Sequence, residues 1–509
     1  MSDTSANNKR IAKNALLLYA RMLYSLFISL FTSRVILAAL GFDDYGLYNV
    51  IGSVVIMFVF LRSAMGNSVH RFITYSIGKG DETRLGDIFS MSLMIHTGLA
   101  VLIVILCETA GLWFLNTQMT IPAGREIAAN WVFQFSIIAC ALSVICVPYD
   151  AEIIAHEKMG IFAFIQILQS TLNLAIVYVV KYYSHDKLIF YAFLLLMVQV
   201  LNRIIYGIYC GRNFPETKFH IVKDKGLFKE MMGFAGWSLF GNLAYVCNSQ
   251  GQNILLNIFF GPAVNAARGI AFSVQSAVKG FVTNFQMALN PQITKSYARE
   301  DFDRLQSLIF TSSRLSFCLL WCMVLPVLFE AETLLYLWLK EVPDHAVNFL
   351  RLIVIIMMID SLENPVSTSV AATGKIRNYQ IVVGCLQLLI IPISYCALLI
   401  KQMPEYVFYV HFLIIIIAQY ARLLFAQKLY GLNMIKYFRV VIVPCILMLV
   451  MSSWVAYLVT FSITPTTLLF FLKCGIDVIV VISCSYMITL EKNERAIIKH
   501  KIKHFIHKA

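Results

Sequence analysis

Fourteen apolar runs, each long enough to cross a bilayer, follow one another from Asn14 to Leu490 with little between them. The first eight are Asn14–Leu40, Tyr45–Ser63, Ile88–Phe114, Ile127–Val147, Met159–Val180, Leu188–Tyr209, Met232–Phe260 and Pro262–Met287. The other six are Leu305–Phe329, Ala346–Ala372, Ile376–Ile400, Pro404–Ala426, Tyr437–Phe461 and Thr466–Leu490. A span takes about 20 residues, so fourteen use roughly 300 of the chain's 509. Composition agrees: 59% of the residues are hydrophobic and 14% are charged, against about 25% charged in a soluble domain. A soluble multidomain enzyme and a disordered chain are both excluded. The expectation is an all-α polytopic membrane protein with 14 transmembrane helices.

The net charge of +13 is a matter of topology rather than of nucleic acid. With the N-terminus inside, the inside loops hold about 28 Lys and Arg and the outside loops about five, a bias that fixes orientation. Both termini are then expected in the cytoplasm, with the run after Lys9, Arg10 and Lys13 an uncleaved first span. The twelve cysteines lie almost wholly in apolar runs and form no Cys-x-x-Cys pair, so neither a disulfide nor a metal is expected. No cofactor is expected. No Gly-x-x-x-x-Gly-Lys-Ser/Thr loop occurs, and the chain carries no ATPase motif of its own.

An internal repeat runs through the chain. A shift of 220 aligns Gly41 with Gly261, Ser53-Val54 with Ser273-Val274, and Ile73-Thr74-x-Ser76 with Ile293-Thr294-x-Ser296. It also aligns Asp81 with Asp301 and Arg84-Leu85 with Arg304-Leu305. A shift of 217 then pairs Pro148 with Pro365, Ala155 with Ala372 and Lys158 with Lys375. Six spans per copy is an even number, so the repeats are parallel, as in transporters that rock two halves about a central site. The expected organisation is an N-lobe over 1–210, a C-lobe over 211–430 and two extra C-terminal helices over 431–490. An amphipathic basic tail over 491–509 would lie on the inner leaflet.

Cations inside spans are costly. Arg21, Arg34, Arg268, Lys279, Arg314 and Arg351 lie within the runs, against the carboxylates Glu108, Asp360, Glu363 and Asp477. The excess of cations suits an anionic cargo, for which Arg offers a fork matched to phosphate oxygens. Arg34 and Lys279 lie too deep to snorkel easily, whereas Arg21, Arg314 and Arg351 sit near span ends. Span 7 carries Asn242, Asn248, Ser249, Gln250, Gln252, Asn253 and Asn257, suited to polar helix packing or to sugar hydroxyls. Asp360 and Glu363 stand beside Pro365, where a kink is expected. They serve either ion coupling or a salt bridge to Arg351. Asp301-Phe-Asp303 and the tail histidines His500, His504 and His507 read as decoys.

The arrangement of 6+6+2 spans resembles the multidrug/oligosaccharidyl-lipid/polysaccharide exporter superfamily, and within it the bacterial polysaccharide (O-antigen, Wzx-type) flippases. The stretch from Arg34 through Leu40-Gly41 to Tyr45-Gly46 is similar to that family's opening signature, and Ala372-Thr373-Gly374-Lys375 to its turn after span 10. The loop Tyr75–Leu85 and its copy Tyr297–Leu305 resemble the stretch before spans 3 and 9. The resemblance implies a flippase that moves an undecaprenyl-pyrophosphate-linked oligosaccharide to the outer leaflet of the plasma (inner) membrane by alternating access, and not an enzyme. Surface polysaccharide (O-antigen or capsule) biosynthesis is the implied setting. Its partners would be membrane lipids, Na⁺ or H⁺, and polysaccharide polymerase machinery. The pyrophosphate would meet Arg34, Arg268, Lys279 and Arg21, the glycan Asn248, Gln250, Gln252 and Asn253, and a coupling ion Asp360 and Glu363. A cation-coupled drug antiporter of the same superfamily and a lipid II flippase are the alternatives; Asn265-Ala-Ala-Arg268 resembles the latter's cavity arginine.

Overall fold

Glycine, aspartate and proline decide where the helices of this chain stop. The computed structural model describes residues 2–41, 44–48, 51–52, 59–117, 121, 124–461, 467–491 and 494–495. Among them every regular element is helical. The first eight helices are α1 (Ser2–Leu40), α2 (Val59–Lys79), α3 (Glu82–Leu106), α4 (Leu112–Thr117), α5 (Glu126–Ile145), α6 (Val147–Ala155), α7 (Met159–Lys181) and α8 (Lys187–Asn213). Two long helices follow, α9 (Lys225–Phe260) and α10 (Pro262–Ala298). The rest are α11 (Phe302–Phe329), α12 (Ala331–Leu339), α13 (Ala346–Asp360), α14 (Glu363–Ala372), α15 (Arg377–Ile400), α16 (Tyr406–Tyr430), α17 (Met434–Tyr437), α18 (Val443–Phe461) and α19 (Thr467–Cys484).

Among the described residues ten segments are long and apolar enough to cross a membrane, and the protein is an all-α, multi-pass membrane protein. They correspond to expected spans 1, 3–6, 9 and 11–14. The other four have physical reasons to fall short. Span 2 includes residues outside the described set. Spans 7 and 8 lie in α9 and α10, 36 and 37 residues long, whose amides and basic residues dilute their apolar character. Span 10 is broken into α13 and α14. The amphipathic tail and its histidines lie almost entirely outside the described residues.

The repeat reappears in the backbone. Gly41 and Gly261 both adopt positive φ, 82° and 80°, ending α1 and α9. Asp81 and Asp301 cap α3 and α11 in nearly the same conformation, each accepting from the backbone N–H of an Arg three residues on at 3.1 Å. Asp301 thus serves as a helix cap. Glu157 and Gly374 both take the left-handed region, at 60° and 77°. The break between α5 and α6 is matched by that between α13 and α14.

The described residues divide into two compact units, Met1–Leu243 with Thr294–Glu300 and Ala244–Ile293 with Asp301–Ala509. In the first, α1 packs along α7, and α5 packs on α3 and α8 around Ile103, Val132, Phe133 and Ile137. Arg125 hydrogen-bonds Asp44 and, at 2.7 Å, Asp186, joining three loops at one end. At Gly78 an added Cβ would stand 2.7 Å from the Cβ of Ala298, so only hydrogen fits there.

In the second unit α16 shows why such helices suit lipid. Leu413, Ile417 and Leu424 are exposed, while Ile414, Ala418, Gln419 and Arg422 are buried. The outward face is apolar, and the polar side chains turn inward. The α13–α14 break follows from Pro365, which has no N–H for the carbonyl of Ser361 four residues back. Gln286 donates to that carbonyl at 2.9 Å, and Gln419 donates to Leu362 O at 3.2 Å.

Candidate functional site: a cationic polar cluster in the second unit

The site grows from the amide-rich stretch of α9. Asn248 and Gln252 lie four residues apart on one helical face, and Gln252 donates to Asn248 at 2.8 Å. Both are nearly fully buried. Gln252 also meets His411 Nδ1 of α16 at 3.2 Å. One step round the helix, Asn253 donates to Gln250 at 3.2 Å, and Gln250 is exposed.

The turn at Gly261 folds α10 back, and its second turn presents Arg268. The Arg268 side chain donates from Nη1 to Asn253 Oδ1 and from Nη2 to the Ser249 carbonyl at 3.0 Å. Its guanidinium lies over the Phe272 ring, 4.1 Å from the centroid. Arg268 is 3% exposed, yet no carboxylate pairs with it among the described residues. Its partners are neutral amide and carbonyl groups, and its Nε has no hydrogen bond within the protein.

Three turns further along α10, Lys279 points toward Tyr245, 5.9 Å from the ring centroid. Asp360 and Glu363 are the carboxylates whose charges reach it. Glu363 Oε1 lies 2.9 Å from Arg422 Nη2, and Arg422 is fully buried in α16. Lys279, Arg422 and Arg268 therefore stand against two carboxylates, with His411 beside them. The surplus cation is Arg268.

The other sequence candidates are placed elsewhere. Arg21 of α1 belongs to the first unit, partly buried with its guanidinium 5.5 Å from the Phe162 ring. Along the same α1–α7 seam Tyr24 meets Thr171 at 2.8 Å and Ser25 meets Ser170 at 3.1 Å. The side chain of Arg34 lies outside the described residues. Arg314 is held by Glu491 and Glu494 at 3.0 and 2.8 Å, a structural pairing. A salt bridge from Asp360 or Glu363 to Arg351 does not form: Arg351 donates to the Leu328 carbonyl at 3.1 Å, and Arg422 takes Glu363 instead.

Sequence reasoning missed Arg422, His411 and Lys473. Arg422 stands near the inside end of the run Pro404–Ala426, and α16 continues two turns past it to Tyr430. Lys473 lies within a long apolar run and binds Glu330 at 3.0 Å. A helical wheel of span 12 would have found Arg422, since it shares a face with Gln419 and His411.

The family model for polysaccharide biosynthesis proteins matches residues 11–297, more than half of the chain. The chain belongs to the polysaccharide biosynthesis protein family. A second model, MatE, matches residues 238–396, which hold most of the polar cluster. Among solved structures, this family member resembles an outward-facing multidrug resistance MATE transporter of the MOP superfamily. Identity there is 12% and the TM-score 0.72, over 84% of this chain and 97% of that one. A MOP superfamily transporter from Pyrococcus furiosus, whose binding pocket is described as reversed in polarity, matches at 12% identity and TM-score 0.68. That likeness covers 83% and 95% of the two chains. A mutant Vibrio cholerae MATE transporter matches at 17% identity and TM-score 0.69, over 84% and 98%. No curated protein matches the chain. The polysaccharide biosynthesis protein thus has the MOP fold, and the families and structures it matches are membrane transporters rather than enzymes.

Proposed function

We propose that this protein is a flippase for a lipid-linked oligosaccharide. It would carry an undecaprenyl-pyrophosphate-linked glycan from the cytoplasmic to the outer leaflet of the bacterial plasma (inner) membrane by alternating access. Both termini then lie in the cytoplasm, as the Lys and Arg bias requires. The observation that carries the reading is Arg268: a buried guanidinium with no carboxylate partner among the described residues. A cation held only by neutral groups has charge to spare for an anion, and the guanidinium fork suits phosphate oxygens. Lys279 adds a second positive charge along α10, and Arg21 and Arg34 are the candidates in the other lobe. Gln250 and Asn253 supply amides for sugar hydroxyls, and Asn248 and Gln252 are the further glycan candidates on the same helix.

A drug antiporter of the same fold needs unpaired carboxylates for a cationic cargo. In the polar cluster Glu363 stands against Arg422 and Asp360 is within the reach of Lys279. Asp477, buried without a hydrogen bond among the described residues, lies apart from the cluster, near Lys473 and Glu330. Asp360 and Glu363 are assigned to coupling, releasing or regaining Lys279 and Arg422 as a proton or Na⁺ comes and goes. The membrane potential also favours outward export of negative charge, by about 2.3 kcal/mol per charge per 100 mV.

The test is restoration of surface polysaccharide in a strain lacking the flippase, supplied with Arg268→Ala, Arg268→Lys or the unaltered chain at matched membrane abundance. Arg268→Ala is expected to lose at least tenfold, about the worth of one charge-assisted hydrogen bond. Arg268→Lys should recover part, since it keeps charge but not the fork. Full activity of Arg268→Ala, or Na⁺- or H⁺-coupled efflux of a cationic dye by the unaltered chain, would overturn the reading.

A further inference from the structure

Apart from the polar cluster, the first unit holds a group of side chains that the transport reading leaves unused. Glu152 and His156 lie four residues apart at the end of α6, so one helical face presents both. Glu216 reaches them from the 3₁₀ turn Pro215–Thr217, just after α8. His156 Nε2 is 3.1 Å from Glu152 Oε1 and 2.8 Å from Glu216 Oε1. One ligand atom from each residue lies within 4.8 Å of the other two. The Phe214 ring stacks on the imidazole at 4.5 Å and fixes its orientation.

Charge sets this group apart from the carboxylates that face a Lys or Arg. The Glu157 carboxylate faces Arg10 and Lys295, Glu330 faces Lys473, and Glu363 faces Arg422. Among the described residues neither Glu152 nor Glu216 has a Lys or Arg partner; two carboxylates share one imidazole. Their side chains are 0% and 11% exposed. Two carboxylates buried side by side repel one another and each loses hydration. The second oxygen of Glu152, Oε2, is buried without any hydrogen-bond partner. A buried acceptor left open, in a group short of positive charge, marks a place for a cation.

We propose that Glu152, His156 and Glu216 form a binding site for a first-row divalent cation of the Zn²⁺ type. One nitrogen and two carboxylate oxygens suit Zn²⁺, Mn²⁺ or Co²⁺, and a nitrogen ligand disfavours Mg²⁺ and Ca²⁺. Ligand atoms sharing a metal at about 2.0–2.2 Å stand roughly 3–3.5 Å apart. The two spacings to His156 are 3.1 and 2.8 Å, and all three atoms lie within 4.8 Å. Neither cysteine spacing nor the Asp301-Phe-Asp303 and tail-histidine patterns detect a Glu-x-x-x-His pair completed by a distant Glu. The bound ion would tie the end of α6 to the connector that leads into α9. This inference stands independently of the cargo.

The test uses the untagged full-length chain in detergent, with His500→Ala, His504→Ala and His507→Ala introduced so that the tail cannot bind metal. After chelation and dialysis the protein is titrated with Zn²⁺, then with Co²⁺, and metal content and the cobalt absorption spectrum are read. About one equivalent is expected, with affinity reduced at least tenfold by His156→Ala and by Glu216→Gln. Glu216 lies on a surface turn, so Glu216→Gln remains informative if His156→Ala misfolds. Absence of stoichiometric binding, or binding unchanged in both variants, overturns the proposal.

Discussion

At the residue scale, a polar or charged side chain in this protein is defined by its partner. Arg314, Arg422 and Lys473 are buried like Arg268, but each faces a carboxylate, which leaves Arg268 as the one of these four proposed to meet the cargo. Removing one partner of a buried pair leaves the other charge stranded. Glu363→Gln is therefore expected to destabilise the second unit by about 3 kcal/mol. Glu363→Gln with Arg422→Met should restore much of that, as measured by unfolding in detergent. Outside the spans, His220 Nε2 contacts Asp87 at 2.7 Å and Nδ1 meets Ser90 at 3.1 Å. The hydrogen bond to Asp87 raises the His220 pKa above its ordinary value. A raised histidine pKa contributes stability that is fully present below about pH 6.5 and lost as pH rises through the raised value. Asp87→Asn should thus lower the melting temperature at about pH 6 and make no difference at about pH 9.

At the scale of elements, the break in span 10 is the feature most closely tied to the site, because it places Asp360 and Glu363 on separate helices. Pro365 opens the Ser361 carbonyl and Gln286 closes it. Gln286→Leu is expected to cost about 1–3 kcal/mol by leaving that buried acceptor empty. With Pro365→Ala present, an N–H becomes available at the right position, and the cost of Gln286→Leu should fall. The double-mutant cycle, read by thermal unfolding, is expected to show coupling of at least about 0.5 kcal/mol; additivity would mean that the two residues do not share that carbonyl. Pro365 and its kink were legible in the sequence. Gln286 and Gln419 were not, since nothing local says which distant amide answers a freed carbonyl.

For the whole molecule, orientation and duplication are the questions. The Lys and Arg distribution puts the segment at Lys229 inside and that at Glu341 outside, and both residues are exposed. In a chain with its cysteines replaced, a membrane-impermeant maleimide applied to intact spheroplasts should label Glu341→Cys and spare Lys229→Cys. The reverse pattern would invert the topology. The duplication was visible as polar residues in register, and the structure adds matched backbone conformations at Gly41 and Gly261 and matched caps at Asp81 and Asp301. These positions repeat because a turn or a cap depends on local chemistry, which a short motif can carry.

What the sequence by itself determined is the membrane class, the helical fold and a short set of costly cations. Hydrocarbon enforces these: a run of about 20 apolar residues and a charge within it each have few physical outcomes. Only the tertiary structure decided which cations are already neutralised. It set Arg422 against Glu363, gave Arg314 to Glu491 and Glu494, and left Arg268 to amides. Ion pairs join residues far apart in the chain, and their energy depends on distance and burial, which the order of residues does not record.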